Sequence, residues 1–460
     1  MRIHKLELKQ VGPFEQETIE FPESTVQGKA EIHVLTGPNG AGKSTVLSAL
    51  ASCFQPTNLP TTLQPRMWGL ESEALVVLDN MKFQHGHSER RICLNNGFSF
   101  DPVHIPGYLA MITRGPKQAA NWLRRISKSL IGGPPPDLND IIKPHLTLIN
   151  NITPSTQPPA PTDVVVLSYS GNRAFSAAQV TAMKEITQSP YQGALSFNSQ
   201  PELVLQWIAN LRTKEALLRL ENKLEKAEQH ARTLSNIETA IKQITDTNLR
   251  FIVETEPLQV VMELEGDRVE MDALPDGLKS IISWIADLYM RLDRMPWIGD
   301  IEPSQRNMIL LLDEIEVHLH PRWQRKILPI VQTLFPNAQI FVSTHSPFVV
   351  GSISDAFVYR FEIENQRSKL VKRCKTTTGN SYNLVLDEIF GLDARFDIET
   401  EQQLDKFYKL RDSFLQDSSQ TTELLALAQS LAHKGLELRD IIGRELAQLA
   451  RISGKELPLS

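Results

Sequence analysis

The stretch "IHVLTGPNGAGKST", Ile32 to Thr45, decides the fold. An apolar strand runs into a glycine-rich turn that matches G-x-x-x-x-G-K-[ST] over Gly37 to Ser44, and the turn opens a helix expected to reach about Cys53. Gly37, Gly40 and Gly42 let the backbone fold tightly enough to aim successive N–H groups at phosphates, and the helix N-terminus adds its partial positive charge. The phosphate-binding set read from this stretch is Gly37, Pro38, Asn39, Gly40, Ala41, Gly42, Lys43, Ser44 and Thr45. Lys43 is expected to reach the β- and γ-phosphates of ATP, and Ser44 to hold Mg²⁺ through its hydroxyl.

A phosphate loop needs carboxylates at the end of a neighbouring strand. "MILLLDE", Met308 to Glu314, supplies them: Asp313 is expected to anchor Mg²⁺, while Glu314, one residue on, points elsewhere and is suited to take a proton from the attacking water. "VSTHSP" then sets His345 at the end of another apolar strand, where an imidazole could contact a γ-phosphate. Lys43, Glu314 and His345 form the expected catalytic set.

Bulk properties agree with a soluble protein of two or three units. The chain has 460 residues, a formal net charge of −6 and three cysteines, Cys53, Cys93 and Cys374, with no C-x-x-C pair. Neither a disulfide framework nor a cysteine zinc site is supported, and a reducing cytoplasm is expected. The opening "MRIHKLELKQVGPF" alternates like a strand and carries charge where a signal peptide would need an apolar run, and no segment reads as a membrane span.

Strand-like stretches fill the N-terminal third, and "EALVVLDNMKFQ" with "RRICLNNGFSF" has the spacing of a hairpin in a side sheet. From Gly132 to Thr162 the chain is dense in Pro, Asn, Thr and Ser and reads as a surface connection. "DVVVLSYSG" resumes a buried strand. Between about Pro201 and Thr247, Leu217, Leu220, Leu224, Ala227, Ala231, Leu234 and Ile241 lie near heptad spacing, with Glu238 interrupting. A helical hairpin, a dimer seam and one amphipathic helix packed on its own domain all fit that pattern. The last part, from about Asp397, is helical, with breaks near "QDSSQ" and "HKG".

Together, the Lys43 loop, the Asp313-Glu314 pair, "IEVHLHP" directly after it and "STHSP" resemble an ATP-binding-cassette head of the SMC, RecF and OLD group. The resemblance implies an α/β P-loop ATPase head with a mixed central sheet and an antiparallel side sheet, here with a small helical insertion and a helical C-terminal tail. The corresponding division is 1–170 and 251–395 for the two parts of the head, 171–250 for the insertion and 396–460 for a tail that binds a partner or oligomerises. In such heads one subunit's nucleotide is covered by the signature loop of another. "LPDGLKS", Leu274 to Ser280, fits that loop by position, with Gly277 opening a helix from Leu278. Pro275 stands where the group commonly has a serine, so the contact in trans is expected from backbone groups around Gly277 and from Lys279 and Ser280, which leaves open either slow hydrolysis or ATP as more a structural clamp than a fuel.

The compact head, the short tail and the absence of a Toprim-like acidic cluster make the chain most similar to the PtuA ATPases of Septu anti-phage systems; ATPases of PARIS systems and retrons have similar heads. That resemblance implies a homo-oligomer built from ATP-sandwich dimers, an HNH-type nuclease partner, no nuclease activity of its own and no membrane, with nucleic acid left open as a partner. A stand-alone RecF-like DNA-repair ATPase is the alternative. Three weaker signals read as structural: Glu316, His318 and His320 as contact-loop residues rather than a metal site, and the basic clusters Arg124, Arg125, Lys128 and Lys372, Arg373, Lys375 as solvated faces. Arg173, after the strand "VVVLSY", is a candidate for coupling the nucleotide to the insertion.

Overall fold

The computed structural model describes residues 2–24, 26–54, 66, 68, 72–79, 108–114, 161–171, 180, 182–376, 382–391, 396–416 and 421–458. It divides into two compact units, Met1–Val385 and Leu386–Ser460.

In the first unit the continuous apolar runs become a six-stranded sheet, because strands buried on both faces have no polar side to show. Its order is β13-β12-β3-β11-β10-β6. The strands are β3 (Glu31–Thr36), β6 (Val164–Tyr169), β10 (Asn307–Leu312), β11 (Ala338–Ser343), β12 (Phe357–Glu364) and β13 (Arg367–Lys375). β6, β10, β11, β3 and β12 run parallel, and β13 returns antiparallel as a hairpin. The sheet is therefore mixed, as the resemblance implied. A side sheet of β1 (Arg2–Val11), β2 (Phe14–Glu20), β4 (Glu73–Asp79) and β5 (Tyr108–Arg114) is antiparallel throughout, in the order β2-β1-β4-β5. "RRICLNNGFSF" lies outside the described residues, and besides β1 the strand β4 pairs with β5, a strand the sequence reading passed over.

A buried polar cluster joins the two sheets. Gln339 on β11 accepts from the Ile3 N–H at 2.7 Å and donates to the Ile3 carbonyl at 2.8 Å, so an amide side chain substitutes for a strand neighbour. Glu31, at the start of the strand that leads to the phosphate loop, pairs with Arg2 at 2.8 Å and with His33 Nε2 at 2.6 Å. His33 Nδ1 lies 3.0 Å from the Tyr359 hydroxyl. Burial holds His33 below its ordinary pKa, so its ring is neutral and donates Nε2–H to Glu31 while accepting from Tyr359.

The segment 201–245 is a helical pair, α2 (Pro201–Leu220) and α3 (Leu224–Thr245). Ala227, Leu234 and Ile241 are buried, whereas Leu217, Leu220 and Leu224, around the turn, are 54%, 81% and 57% exposed. The apolar pattern thus serves two purposes along one segment, packing far from the turn and facing solvent at it. Glu238 interrupts the pattern because its carboxylate accepts from the Phe251 N–H at 3.0 Å and from Arg212 at 2.9 Å. β7 (Leu249–Thr255), β8 (Leu258–Leu264) and β9 (Asp267–Val269) follow as an antiparallel meander, and α4 (Asp276–Arg294) is buried along most of its length. α5 (Pro321–Leu334) starts on a proline whose missing N–H costs nothing at a helix N-terminus.

In the second unit the helices Ile398–Gln416, Thr421–His433 and Leu436–Ser453 bury a core of their own including Phe407, Leu424, Leu431, Ile442 and Leu446. No helix among the described residues is long and apolar enough to cross a membrane.

Acid should weaken this structure in a defined window. Burial alone would raise the Glu31 carboxyl, but its hydrogen bonds to His33 and Arg2 and the charge beside it outweigh that and hold it at about 2, below its ordinary 4.5. The stability it contributes, about 3 kcal/mol, is complete above pH 4.5 and is lost as pH falls toward 2. Urea unfolding across that range should show a shallower pH dependence for Glu31→Gln than for the parent.

Candidate functional site

The phosphate loop lies between β3 and α1 (Lys43–Cys53). Gly42, in the left-handed region at φ 88, admits no other residue: a Cβ there would sit 2.4 Å from the Phe14 ring and 2.7 Å from Pro13. The N-terminal β1–β2 turn therefore presses against the loop and fixes its curvature. Lys43 is folded back into the loop, its ammonium donating to the Gly37 and Pro38 carbonyls at 3.0 Å each. Burial lowers its pKa, and the charges of Asp313, Glu314 and Glu316 oppose the shift.

The parallel register brings the remaining residues to the same place. Leu312 pairs with Val342, so the next residues, Asp313 and Ser343, leave β10 and β11 side by side. Asp313 Oδ1 accepts from Ser44 Oγ at 3.0 Å and from Ser343 Oγ, and the Asp313 N–H donates to the Tyr169 carbonyl at 2.8 Å. The Glu314 N–H donates to Ser343 Oγ at 2.8 Å. Glu314 takes a φ of 49, unusual for a residue with a side chain, and is exposed at the cleft. Gly171 makes room for that bend, since a Cβ there would lie 2.6 Å from the Glu314 carbonyl.

A cleft of about 160 Å³ results, lined by Asn39, Gly40, Gly42, Lys43, Ser44, Thr45, Glu314 and His345. Burial and the Lys43 charge hold His345 below its ordinary pKa, with Asp313 opposing, so the ring is neutral near pH 7. A cationic side chain, a row of loop amides and the Glu314 carboxylate around a small polar cleft, with Asp313 hydrogen-bonded to the lining Ser44, suit a polyphosphate with a hard divalent cation. The donors fit Mg²⁺ in kind: Ser44 Oγ and Asp313 Oδ1 are hard oxygen ligands already 3.0 Å apart.

Lys43, Ser44, Asp313, Glu314 and His345 thus meet, whereas Gly277, Lys279 and Ser280 lie outside the cleft. Their local structure differs from expectation. α4 starts at Asp276 rather than Leu278, because Pro275 acts as N-cap and its carbonyl accepts from the Leu278 and Lys279 N–H groups at 2.9 and 3.0 Å. Of the predicted positions, Pro275 and Asp276 are exposed, Gly277 is packed against the His318 carbonyl, and Lys279 is paired with Asp276 at 3.7 Å. Ser280 is 1% exposed, its hydroxyl turned into the protein without a hydrogen-bond partner among the described residues. It faces no surface from which a phosphate could reach it.

Glu316, His318 and His320 do not converge. Glu316 Oε1 accepts from the His345 N–H at 2.5 Å, and His320 Nδ1 accepts from the Arg322 N–H at 3.2 Å, capping α5. Among the described residues no cluster of three His, Cys, Asp or Glu could hold a metal ion. Arg373 and Lys375 lie in ion pairs with Glu20 and Asp355. Arg124, Arg125, Lys128 and Arg173 fall outside the described residues. Ser343 and Gly171 were missed in the sequence; two parallel strands ending in "DE" and "STH" were the signal that could have found Ser343.

Comparison with known proteins agrees with this geometry. Residues 156–351 match a family described as "AAA domain, putative AbiEii toxin, Type IV TA system", and residues 1–58 match one described as "AAA domain". A Septu protein PtuA of Bacillus thuringiensis is 24% identical over 215 residues, 45% of this chain and 54% of the relative. A retron Ec83 probable ATPase of Escherichia coli is 28% identical over 166 residues, 36% of this chain and 30% of the relative. The chain thus spans about half the length of the first relative and under a third of the second. A solved SMC head bound to the C-winged helix domain of ScpA is 15% identical, covers 82% of this chain and 98% of its own, and has a TM-score of 0.42. Parts of the chain are thus similar to AAA-type ATPase domains and, at modest identity, to PtuA and retron ATPases.

Lys43→Ala removes the buried ammonium and leaves the loop amides alone. ATP binding followed by calorimetry should weaken by about 100-fold or more, a loss in keeping with charge-assisted hydrogen bonds to two phosphates.

Proposed function

We propose that this chain is the ATP-hydrolysing subunit of an anti-phage defence complex, in which heads joined through bound ATP control a separate HNH-type nuclease. The observation that carries the ATPase reading is the meeting of Lys43, Ser44, Asp313, Glu314 and His345 around one cleft at the ends of parallel strands. The defence setting rests on the relatives, PtuA and retron ATPases, rather than on any feature of the cleft.

In this reading Lys43 leaves the Gly37 and Pro38 carbonyls for the β- and γ-phosphates, and the loop from Gly37 to Thr45 supplies amides along the chain of phosphates. Ser44 and Asp313 would hold Mg²⁺, which offsets phosphate charge when bound. Glu314, exposed at the cleft, orients the attacking water and takes its proton. The neutral His345 ring faces the terminal phosphate from the end of the neighbouring parallel strand β11. Water exclusion falls to a second copy. Its exposed Pro275, the first-turn N–H of the exposed Asp276, and Lys279 would meet the γ-phosphate from outside, while the buried Gly277 lets the turn pack on the His318 carbonyl. Ser280, being buried, drops out of that set, and with no hydroxyl from Pro275 or Ser280 the contact in trans rests on backbone dipoles, which fits slow turnover. ATP binding favours the joined state by its differential affinity for it, so nucleotide occupancy biases the state of the partner.

Glu314→Gln should keep ATP affinity and lower turnover by about 100-fold or more. In light scattering, ATP should shift this variant from one copy to two. Turnover at the parental rate would remove Glu314 as the base, and a mass that stays at one copy with ATP bound would remove the sandwich. Co-purification with an HNH protein encoded beside it, with and without ATP, tests the partner.

A further inference from the structure

Glu316 is a buried carboxylate without a place in the chemistry described so far. It stands two residues beyond Glu314 and does not line the cleft. Its Oε1 accepts from the His345 N–H at 2.5 Å, while Oε2 is buried with no hydrogen-bond partner among the described residues. Burial pushes its pKa up, the Glu314 charge adds to that, and the hydrogen bonds from His345 and Thr344 oppose it. A half-satisfied buried carboxylate costs stability, typically about 1–3 kcal/mol, so packing gives no reason for it.

The surroundings show what it does hold. Gln324 Nε2 donates to the Leu319 carbonyl at 2.8 Å and its Oε1 accepts from Ser346 Oγ at 2.6 Å, one step further along the same two segments. On the other side Ser343 ties the Glu314 N–H and Asp313 together. Residues 313–324 and 343–346 are therefore laced at three successive points, and the middle one is the hydrogen bond that the Glu316 carboxylate accepts from the His345 N–H.

We propose that Glu316 is a positioning residue, fixing the main chain of His345 against the loop that carries Glu314 so that imidazole and base address the same phosphate. The proposal rests on the reading of the cleft as an ATPase site. It touches no nucleotide, so affinity for ATP is set elsewhere, by the loop and Lys43. What Glu316 sets is the distance between two groups that must act together, and a displacement of about 1 Å in such a pair lowers the rate by up to about 100-fold.

Turnover and ATP affinity are measured together for the parent, Glu316→Ala, Glu316→Gln, His345→Ala and the double variant Glu316→Ala with His345→Ala. Glu316→Ala should lower kcat by about 10- to 100-fold and leave the ATP Kd within about twofold. Glu316→Gln, which keeps an acceptor oxygen, should recover most of the rate. In the His345→Ala background Glu316→Ala should cost nothing more, because the group it positions is gone. Equal losses in kcat and affinity, a further loss in that background, or a Gln variant as slow as Ala would overturn the proposal. If Glu316→Ala yields no folded protein, Glu316→Leu, of similar volume and without an acceptor, takes its place with the same expectations. A parent that turns over no ATP, or a Glu314→Gln variant no slower than the parent, fails differently: it overturns the ATPase reading and this proposal with it.

Discussion

One carboxylate holds the site together. Asp313 accepts from Ser44 in the first turn of α1 and from Ser343 at the end of β11, while its own N–H is fixed by the Tyr169 carbonyl at the end of β6. Three strands and the phosphate-loop helix thus share a single anchoring point. A buried or half-buried anion accepts strong, short hydrogen bonds and is costly to leave unpaired. The strand ends cannot drift independently without exposing that cost, so the geometry of the cleft follows from the geometry of the sheet.

The anchoring extends away from the cleft through Tyr169. Its hydroxyl donates to Asp287 at 2.8 Å, in the middle of α4, and Asp287 pairs with Arg291 at 2.5 Å inside the protein. Arg291 donates in turn to the Pro190 and Gln192 carbonyls. An ion pair taken out of water is not by itself stabilising, since desolvation offsets most of its Coulomb energy. Its hydrogen bonds specify instead one orientation of α4 against β6. The exposed turn at Pro275 and Asp276 sits at the start of that helix, so the surface available to a second copy is oriented by the same strand that fixes Asp313.

Much of this was legible in the chain, for local reasons. The phosphate loop is written in contiguous residues because every one of its donors is backbone or an adjacent side chain. The strands "IHVLT", "MILLLDE" and "AQIFVS" read as such because strands covered on both faces must be continuously apolar. Glu238 looked like an interruption because its partners, Arg212 and the Phe251 N–H, come from other elements. The start of α4 was misplaced by two residues, since its N-cap, Pro275, has no side-chain acceptor of the kind that marks a helix start in sequence.

Sequence alone determined which groups meet at the cleft: Lys43, Ser44, Asp313, Glu314 and His345 each follow from a residue type at a strand or helix end. Tertiary structure decided how they are held. Ser343 beside Asp313, Gly171 under the bend at Glu314, Glu316 on the His345 main chain and the burial of Ser280 all depend on which strands are neighbours and on the register between them. Side-chain identity and spacing are local properties of the chain, whereas register and burial are set by pairings between segments hundreds of residues apart, where no short motif records the partner.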